Sequence, residues 1–465
     1  MLLIVGIVNT NYHNRLIAYQ RPHVDELVRL LVDTRLPPRI VAITGPRQSG
    51  KTTIVRQALR RVHAAGLPGE RIAVDDPEAM YGRSGVPPDA AFVPDPRLRT
   101  ADWLVRLWKW GRERAWEHPR GFVLAIDEIQ DIPEWSRAVK GLWDRDRDTG
   151  CPLKVVIVGS APWALLTGRG ESLAGRFTPF DVGHWSLSEM VDAFDFTLDE
   201  YIYFGGYPGA ASSIRELREW RQYVAYSIIA PVFGRDILAL TRVDKPSLMR
   251  QLVDLVPEYS GQIVRYDHLV GRLRGTGHTT TVAHYLGLLS GAGIVAQLPK
   301  YSGSATRRTE SSPKLNVLNT GLMTALSGYS LEQALADRTF WGRLVESAVG
   351  AHLHNTLEVS MRLAYWRNDP HEVDFVLSQG PRVLGIEVKS SRRVRCLRGL
   401  SAFEKRFPRA RTMPVGSRGG IPPNEFLAQP ASFGWRKRGK TDRPPRGDRC
   451  RRRGEPLGPA GGVPV

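Results

Sequence analysis

Cysteine is almost absent, with three in 465 residues. Cys151, Cys396 and Cys450 lie far apart and fit neither a disulfide framework nor a paired-cysteine metal site. That pattern points to a reducing, cytoplasmic setting. Long apolar runs are also missing: none approaches the roughly 18 residues that span a bilayer, so no membrane-spanning segment is expected. Residues 1–8 (MLLIVGIV) are apolar but lack a basic lead and a small-residue cleavage site. They read as a strand or a stray start rather than a signal peptide. No internal repeat is visible. Acidic residues are the minority charge, 47 against 65 basic, for a net +18. The hydrophobic fraction, 42%, is ordinary for a globular chain and excludes wholesale disorder.

The positive charge sits at one end. Residues 436–465 hold ten Lys/Arg against Asp442, Asp448 and Glu455, and residues 392–435 hold nine against Glu404 and Glu425. Each stretch carries +7, which leaves +4 on residues 1–391. A basic end of this kind suits non-specific contact with DNA or RNA. The last thirty residues are rich in Arg, Pro and Gly without hydrophobic periodicity, so disorder is expected there. Readthrough or a shifted frame in GC-rich coding DNA is an equally good source of such a tail.

At this length about three domains are expected. A helical pattern at 24–32 ends before Pro37-Pro38, and strand-like runs follow at 40–44, 71–74, 122–126 and 155–158. Strands alternating with helices predict a parallel α/β sheet with helices on both faces, over residues 21–190 after an extension at 1–20. Residues 191–305 read as mainly helical. Strands return at 373–377 and 383–388 after a helix at 341–355, giving an α/β domain at 306–435 and a tail at 436–465.

Gly45-Pro46-Arg47-Gln48-Ser49-Gly50-Lys51-Thr52 matches the phosphate-loop pattern G-x-x-x-x-G-K-[ST], between a strand (IVAIT) and a helix that begins with Thr52 and Thr53. The glycines let backbone N–H groups turn toward phosphates, and the helix start adds its positive dipole end. Lys51 reaches the β- and γ-phosphates of ATP, and the Thr52 hydroxyl is a ligand for Mg²⁺. The strand FVLAI then delivers Asp127 as a Mg²⁺ partner and Glu128 as the base that polarises water. A further strand, VVIV, ends in Gly-Ser160, which reads either as a γ-phosphate sensor or as a plain turn.

These residues resemble the bacterial and archaeal AAA-type ATPases that carry a C-terminal domain of unknown function with a nuclease-like core. The matching elements are GPRQSGKTT, Asp75-Asp76-Pro77, LAIDEIQDIPEW, VIVGSAPWALL, ESLAGRF, YFGGYPGA and SSPKLNVLNTGL, in order over about residues 22–435. The resemblance implies that Arg176 in LAGRF takes an arginine-finger position, acting in cis or from a neighbouring subunit on transition-state charge. A surface arginine at a helix end is the alternative. The family carries Asp where this chain has Asn319, which argues against a metal or structural role there.

Residues 266–289 read as helix, tight turn and helix, with 294–301 as a following wing, so the segment resembles a winged helix. The second helix is apolar over much of its length and carries little positive charge, which favours a packing module. Trp103, Leu107 and Trp110 recur at helical spacing with Arg106 and Lys109 between them. An inward Trp face is the expected reading, with an aromatic–basic nucleic-acid surface as the alternative. Further on, Glu346 lies in a helix, Asp374 in one strand, and Glu387 and Lys389 on one face of the next. A hairpin joining those strands brings Asp374 beside them. Acid followed by acid–x–lysine resembles the restriction-endonuclease-like superfamily, which implies Mg²⁺ held by Glu346, Asp374 and Glu387, with Lys389 orienting water. An inert nuclease-like fold with Glu387 and Lys389 as a surface pair is the alternative.

Together these readings predict a Mg²⁺-dependent ATPase acting as a nucleotide-driven switch coupled to a DNA- or RNA-directed nuclease-like domain. The alternative is an ATP-dependent regulatory or scaffold protein whose inert nuclease-like fold binds a protein partner. The sequence does not specify an oligomeric state.

Overall fold

Five short runs build the first sheet, the central three of them apolar on both faces. They are β1 (Ile40–Thr44), β2 (Gly69–Ala73), β3 (Phe122–Asp127), β4 (Leu153–Val158) and β5 (Phe177–Asp181). All pair in parallel, in the order β2-β3-β4-β1-β5. Successive side chains of a strand point to opposite faces, so each face needs its own cover. Ile40 and Ala42 of β1 join a cluster with Trp103, Trp108, Trp135 and Leu142. Val41 and Ile43 join another with Leu27, Ile54, Val55 and Val62. Helices Ala101–Glu117 and Trp135–Thr149 thus cover one face, and His23–Val32 and Lys51–Ala64 cover the other. Trp103, Leu107 and Trp110 are buried while Arg106 and Lys109 stay exposed, so this Trp face packs inward as expected.

The computed structural model describes residues 15, 18–33, 39–75, 99–159, 175–238, 243–275, 277–303, 311–390, 397–416 and 419–435. Ser160 and the basic tail at 436–465 lie outside them. From the N-terminal extension, Tyr19 packs against Trp185 in a tilted pair with ring centres 5.2 Å apart, and its carbonyl accepts from Gln57 Nε2 at 2.9 Å.

After β5 the chain becomes helical. Helices Leu187–Phe194 and Leu198–Phe204 each start with a capping box, Ser186 with Glu189 and Thr197 with Glu200. Helices Tyr266–Arg272 and Thr279–Gly291 follow a tight sequence, flanked by β6 (Gln262–Ile263), β7 (Val295–Leu298) and β8 (Lys314–Val317). These strands form an antiparallel sheet ordered β6-β8-β7. The expected boundary at 305–306 therefore runs through a sheet and needs correcting. β8 lies past that boundary yet pairs with β6 and β7, which lie before it.

The last sheet contains β9 (Arg362–Asn368), β10 (His371–Gln379), β11 (Arg382–Val388) and β12 (Arg411–Val415). Its order is β12-β11-β10-β9, with β9, β10 and β11 antiparallel and β11 parallel to β12. Helix Arg338–Asn355 connects it to the middle segment, and one apolar cluster runs from Trp185 to Ala431. The middle and C-terminal segments share that core. Among the described residues, no helix is long and apolar enough to cross a membrane.

Candidate nucleotide site and carboxylate pocket

The phosphate loop leaves the carboxyl end of β1. Gly45 has φ +151°, and a Cβ there would stand 2.1 Å from the Val182 carbonyl. Gly50, at φ +90°, turns the chain into the helix Lys51–Ala64. Lys51 Nζ folds back to donate to the Gly45 and Pro46 carbonyls, each at 2.9 Å. Burial pulls its ammonium down to about 8, against the opposing pull of Glu128, Asp127 and Asp236. Ser49 Oγ is buried and finds no hydrogen-bond partner among the described residues. Thr53 follows on the helix, half-buried.

Asp127 closes β3 and is 2% exposed. Thr52 Oγ1 donates to its Oδ2 at 2.8 Å, and Arg71 of β2 pairs with the same oxygen at 2.7 Å. Glu128 turns into the left-handed region at φ 57° and accepts from Gln130 Nε2. Its burial raises the carboxyl above the usual range, which suits a group that accepts a proton. These residues fit Mg²⁺ with ATP: a glycine cradle, an unsatisfied Ser49 hydroxyl, and a hydroxyl–carboxylate pair.

Arg47 of the motif, together with Arg21 and His184, which the motif reading passed over, anchors the surroundings of this loop. Arg21, 4% exposed, grips Glu189 at 2.7 and 3.0 Å and donates to the Ser49 carbonyl at 2.7 Å. Arg47 of the loop reaches Asp236 in the middle segment. His184 Nε2 lies 3.1 Å from the Gly293 carbonyl, and a Cβ on Gly293 would meet Pro46 at 2.9 Å. Gln48 approaches Gly209, where a Cβ would come 3.1 Å from its Oε1. Asn319 is buried, contacts His184 Nδ1 at 3.3 Å and accepts from Gly321 N at 3.2 Å. Its expected lack of a structural role is therefore corrected.

Arg176 also needs correcting. It precedes β5, whose first residue pairs with Ile40 and whose last pairs with Thr44. Because the strands are parallel, Arg176 lies at the opposite end of the sheet from the phosphate loop, roughly 16 Å away at strand rise. There it pairs with Asp144 at 2.9 and 3.0 Å. An action in cis is excluded by this register.

Residues 37–191 match the family model described as AAA domain. The N-terminal part of the chain is an AAA-type P-loop domain. Residues 195–333 and 341–416 match two domains of unknown function, DUF8612 and DUF4143. Uncharacterized proteins from Mycobacterium bovis and Mycobacterium tuberculosis are each 27% identical over 353 residues, 75% of this chain and 70% of theirs. Among solved structures, a Walker-type ATPase of Pyrococcus abyssi is 14% identical, with a TM-score of 0.40, covering 65% of this chain and 94% of that one. The RuvB Holliday junction branch migration motor of Thermotoga maritima is 17% identical, with a TM-score of 0.29, covering 59% and 89%.

Beyond the AAA domain, the β10–β11 hairpin does place Asp374 near Glu387 and Lys389. Asp374 Oδ2 accepts from Val388 N at 2.8 Å, and Lys389 Nζ lies 3.1 Å from Glu387 Oε1. The other Glu387 oxygen accepts from Leu400 N at 3.2 Å. Lys314, which the sequence reading passed over, points into this group. Its Nζ lies 2.7 Å from Glu346, 3.2 Å from Glu372 and 3.5 Å from Asp374. The contact with Glu346 Oε1 is a close ion pair without hydrogen-bond alignment. Burial, with Asp374 nearby, lifts Glu346 to about 7. Among the described residues, no three His, Cys, Asp or Glu side chains are arranged to hold a metal ion. The carboxylates expected to bind Mg²⁺ here do not fit one in this arrangement. The reason is that a lysine from another strand already stands among them.

Proposed function

We propose that the protein is a Mg²⁺-dependent ATPase whose nucleotide state is passed from the AAA domain to the middle and C-terminal segments. One observation carries this reading. Lys51, Thr52 and Asp127 converge at the carboxyl ends of β1 and β3, on a loop that residues outside the AAA domain also grip. When bound, Mg²⁺ held by Thr52 and Asp127 supplies positive charge to the phosphates. Lys51 neutralises the β- and γ-phosphates, the loop N–H groups orient them, and Glu128 takes a proton from the attacking water. Arg176 enters only from a second copy.

The proposed target of the switch is DNA or RNA, met by the basic C-terminal end and the winged-helix-like and restriction-endonuclease-like segments. A second reading has an observation of its own. The lysine among Glu346, Glu372 and Asp374 favours an inert nuclease-like fold that serves a protein partner.

ATP turnover by purified protein, with and without single- and double-stranded nucleic acid, tests both readings. Lys51→Ala is expected to abolish turnover and weaken ATP binding, whereas Glu128→Gln keeps binding and loses hydrolysis. Wild-type turnover in Glu128→Gln would remove Glu128 from its role. Cleavage of DNA or RNA with Mg²⁺ or Mn²⁺, lost in Asp374→Ala and Glu387→Ala and slowed in Lys389→Ala, would favour the nuclease reading. Turnover indifferent to nucleic acid, with no cleavage, would favour the scaffold.

A further inference from the structure

The strand β8 is buried at all four positions, Lys314, Leu315, Asn316 and Val317. Alternation puts Lys314 and Asn316 on one face and Leu315 and Val317 on the other. The Lys314 side chain is fully buried, and its ammonium stands 5.4 Å from the centre of the Phe375 ring. Asn316 Nδ2 donates to the Ser347 carbonyl at 3.1 Å, one residue beyond Glu346. The face of β8 therefore docks along helix Arg338–Asn355 and delivers one positive charge to its glutamate.

We propose that Lys314 Nζ is the resident cation of the C-terminal carboxylate pocket, locking that domain onto the middle sheet where a divalent metal would otherwise sit. A buried ammonium is tolerated only with charge compensation, and here Glu346, Glu372 and Asp374 all lie within 3.5 Å. A divalent ion needs the same oxygens that the ammonium faces, so the two compete for this pocket. The remaining acid is engaged elsewhere: Glu387 is held by Leu400 N and Lys389. Lys314 lies in the 195–333 module and the carboxylates in the region from 341 onward, so the pair spans two modules. The proposal does not depend on the ATPase reading.

Manganese binding to the nucleotide-free full-length protein, followed by electron paramagnetic resonance and calorimetry, tests the idea. Wild type is expected to bind no Mn²⁺ that the double change Asp374→Asn with Glu387→Gln removes. Lys314→Met should melt several degrees lower, gain about one equivalent of Mn²⁺, and be stabilised by the metal where wild type is not. If Lys314→Met fails to fold, combining it with Glu346→Gln removes one charge of each sign, and this variant should fold. Stoichiometric Mn²⁺ in wild type that vanishes in the carboxylate variant would overturn the proposal. So would a Lys314→Met protein as stable as wild type without metal.

Discussion

Arg47 of the phosphate loop is clamped by Asp236 through two 2.7 Å bonds, Nε to Oδ2 and Nη2 to Oδ1. A forked pair of this kind fixes direction as well as distance. It ties the loop that would meet phosphate to the helical segment Val232–Leu238, 189 residues away. Asp236→Ala leaves a largely buried guanidinium without this partner, a loss of about 2–4 kcal/mol for pairs of this burial. Bound phosphate supplies replacement charge, so Mg·ATP should raise the melting temperature of the variant more than that of wild type. Equal shifts in the two proteins would show that Arg47 does not sense the nucleotide.

Arg21 acts on the loop at the Ser49 carbonyl. Its guanidinium serves Glu189 and the Ser49 carbonyl at once, a geometry that a lysine ammonium does not reproduce. Arg21→Lys should therefore lose about 2 kcal/mol of stability by urea unfolding and bind ATP more weakly. A variant that loses stability but keeps wild-type ATP affinity would separate Arg21 from loop positioning.

Arg176→Ala should leave ATP affinity unchanged, because the side chain sits at the far end of β5. Its pair with Asp144 is partly exposed, so the stability change should stay within about 1 kcal/mol. Any drop in turnover should appear only at protein concentrations where copies associate. A drop independent of concentration would contradict the strand register.

The phosphate loop was legible because its chemistry is local: eight consecutive residues, a strand before and a helix after. The parallel sheet was legible for a related reason, since strands apolar on both faces and separated by helices leave few alternatives. The cis option for Arg176 failed because a motif fixes neighbours in sequence but not the end of the sheet at which they fall. Lys314 was not legible because its role depends on Glu346, Glu372 and Asp374, 32 to 60 residues away. Arg21 with Glu189 and Arg47 with Asp236 join residues 168 and 189 apart, and no spacing rule reaches that far.

His184 predicts an acid limit to stability. The Gly293 carbonyl can only accept, so Nε2 carries the proton and Nδ1 accepts from Asn319 Nδ2. Burial, with Arg21, His354 and Lys51 nearby, lowers its pKa from 6.5 to about 4, although the Gly293 bond opposes this. The unfolded chain binds the proton first, so this contribution is complete above pH 6.5 and is lost as pH falls through 4. A shift of this size is worth about 3 kcal/mol for one buried group. His23 and His352 are also lowered to about 4 by burial and act in the same direction, so the steepness of the acid limb alone does not isolate His184. Asn319→Asp isolates it. A carboxylate in place of the amide would accept from a protonated Nδ1 and hold the imidazolium in the folded state. The variant should be less stable than wild type near pH 8, where a buried carboxylate faces a neutral ring. The difference should narrow as pH falls from 6.5 toward 4, when urea unfolding is measured at each pH. A difference that stays constant over that window would show that His184 does not take up the proton.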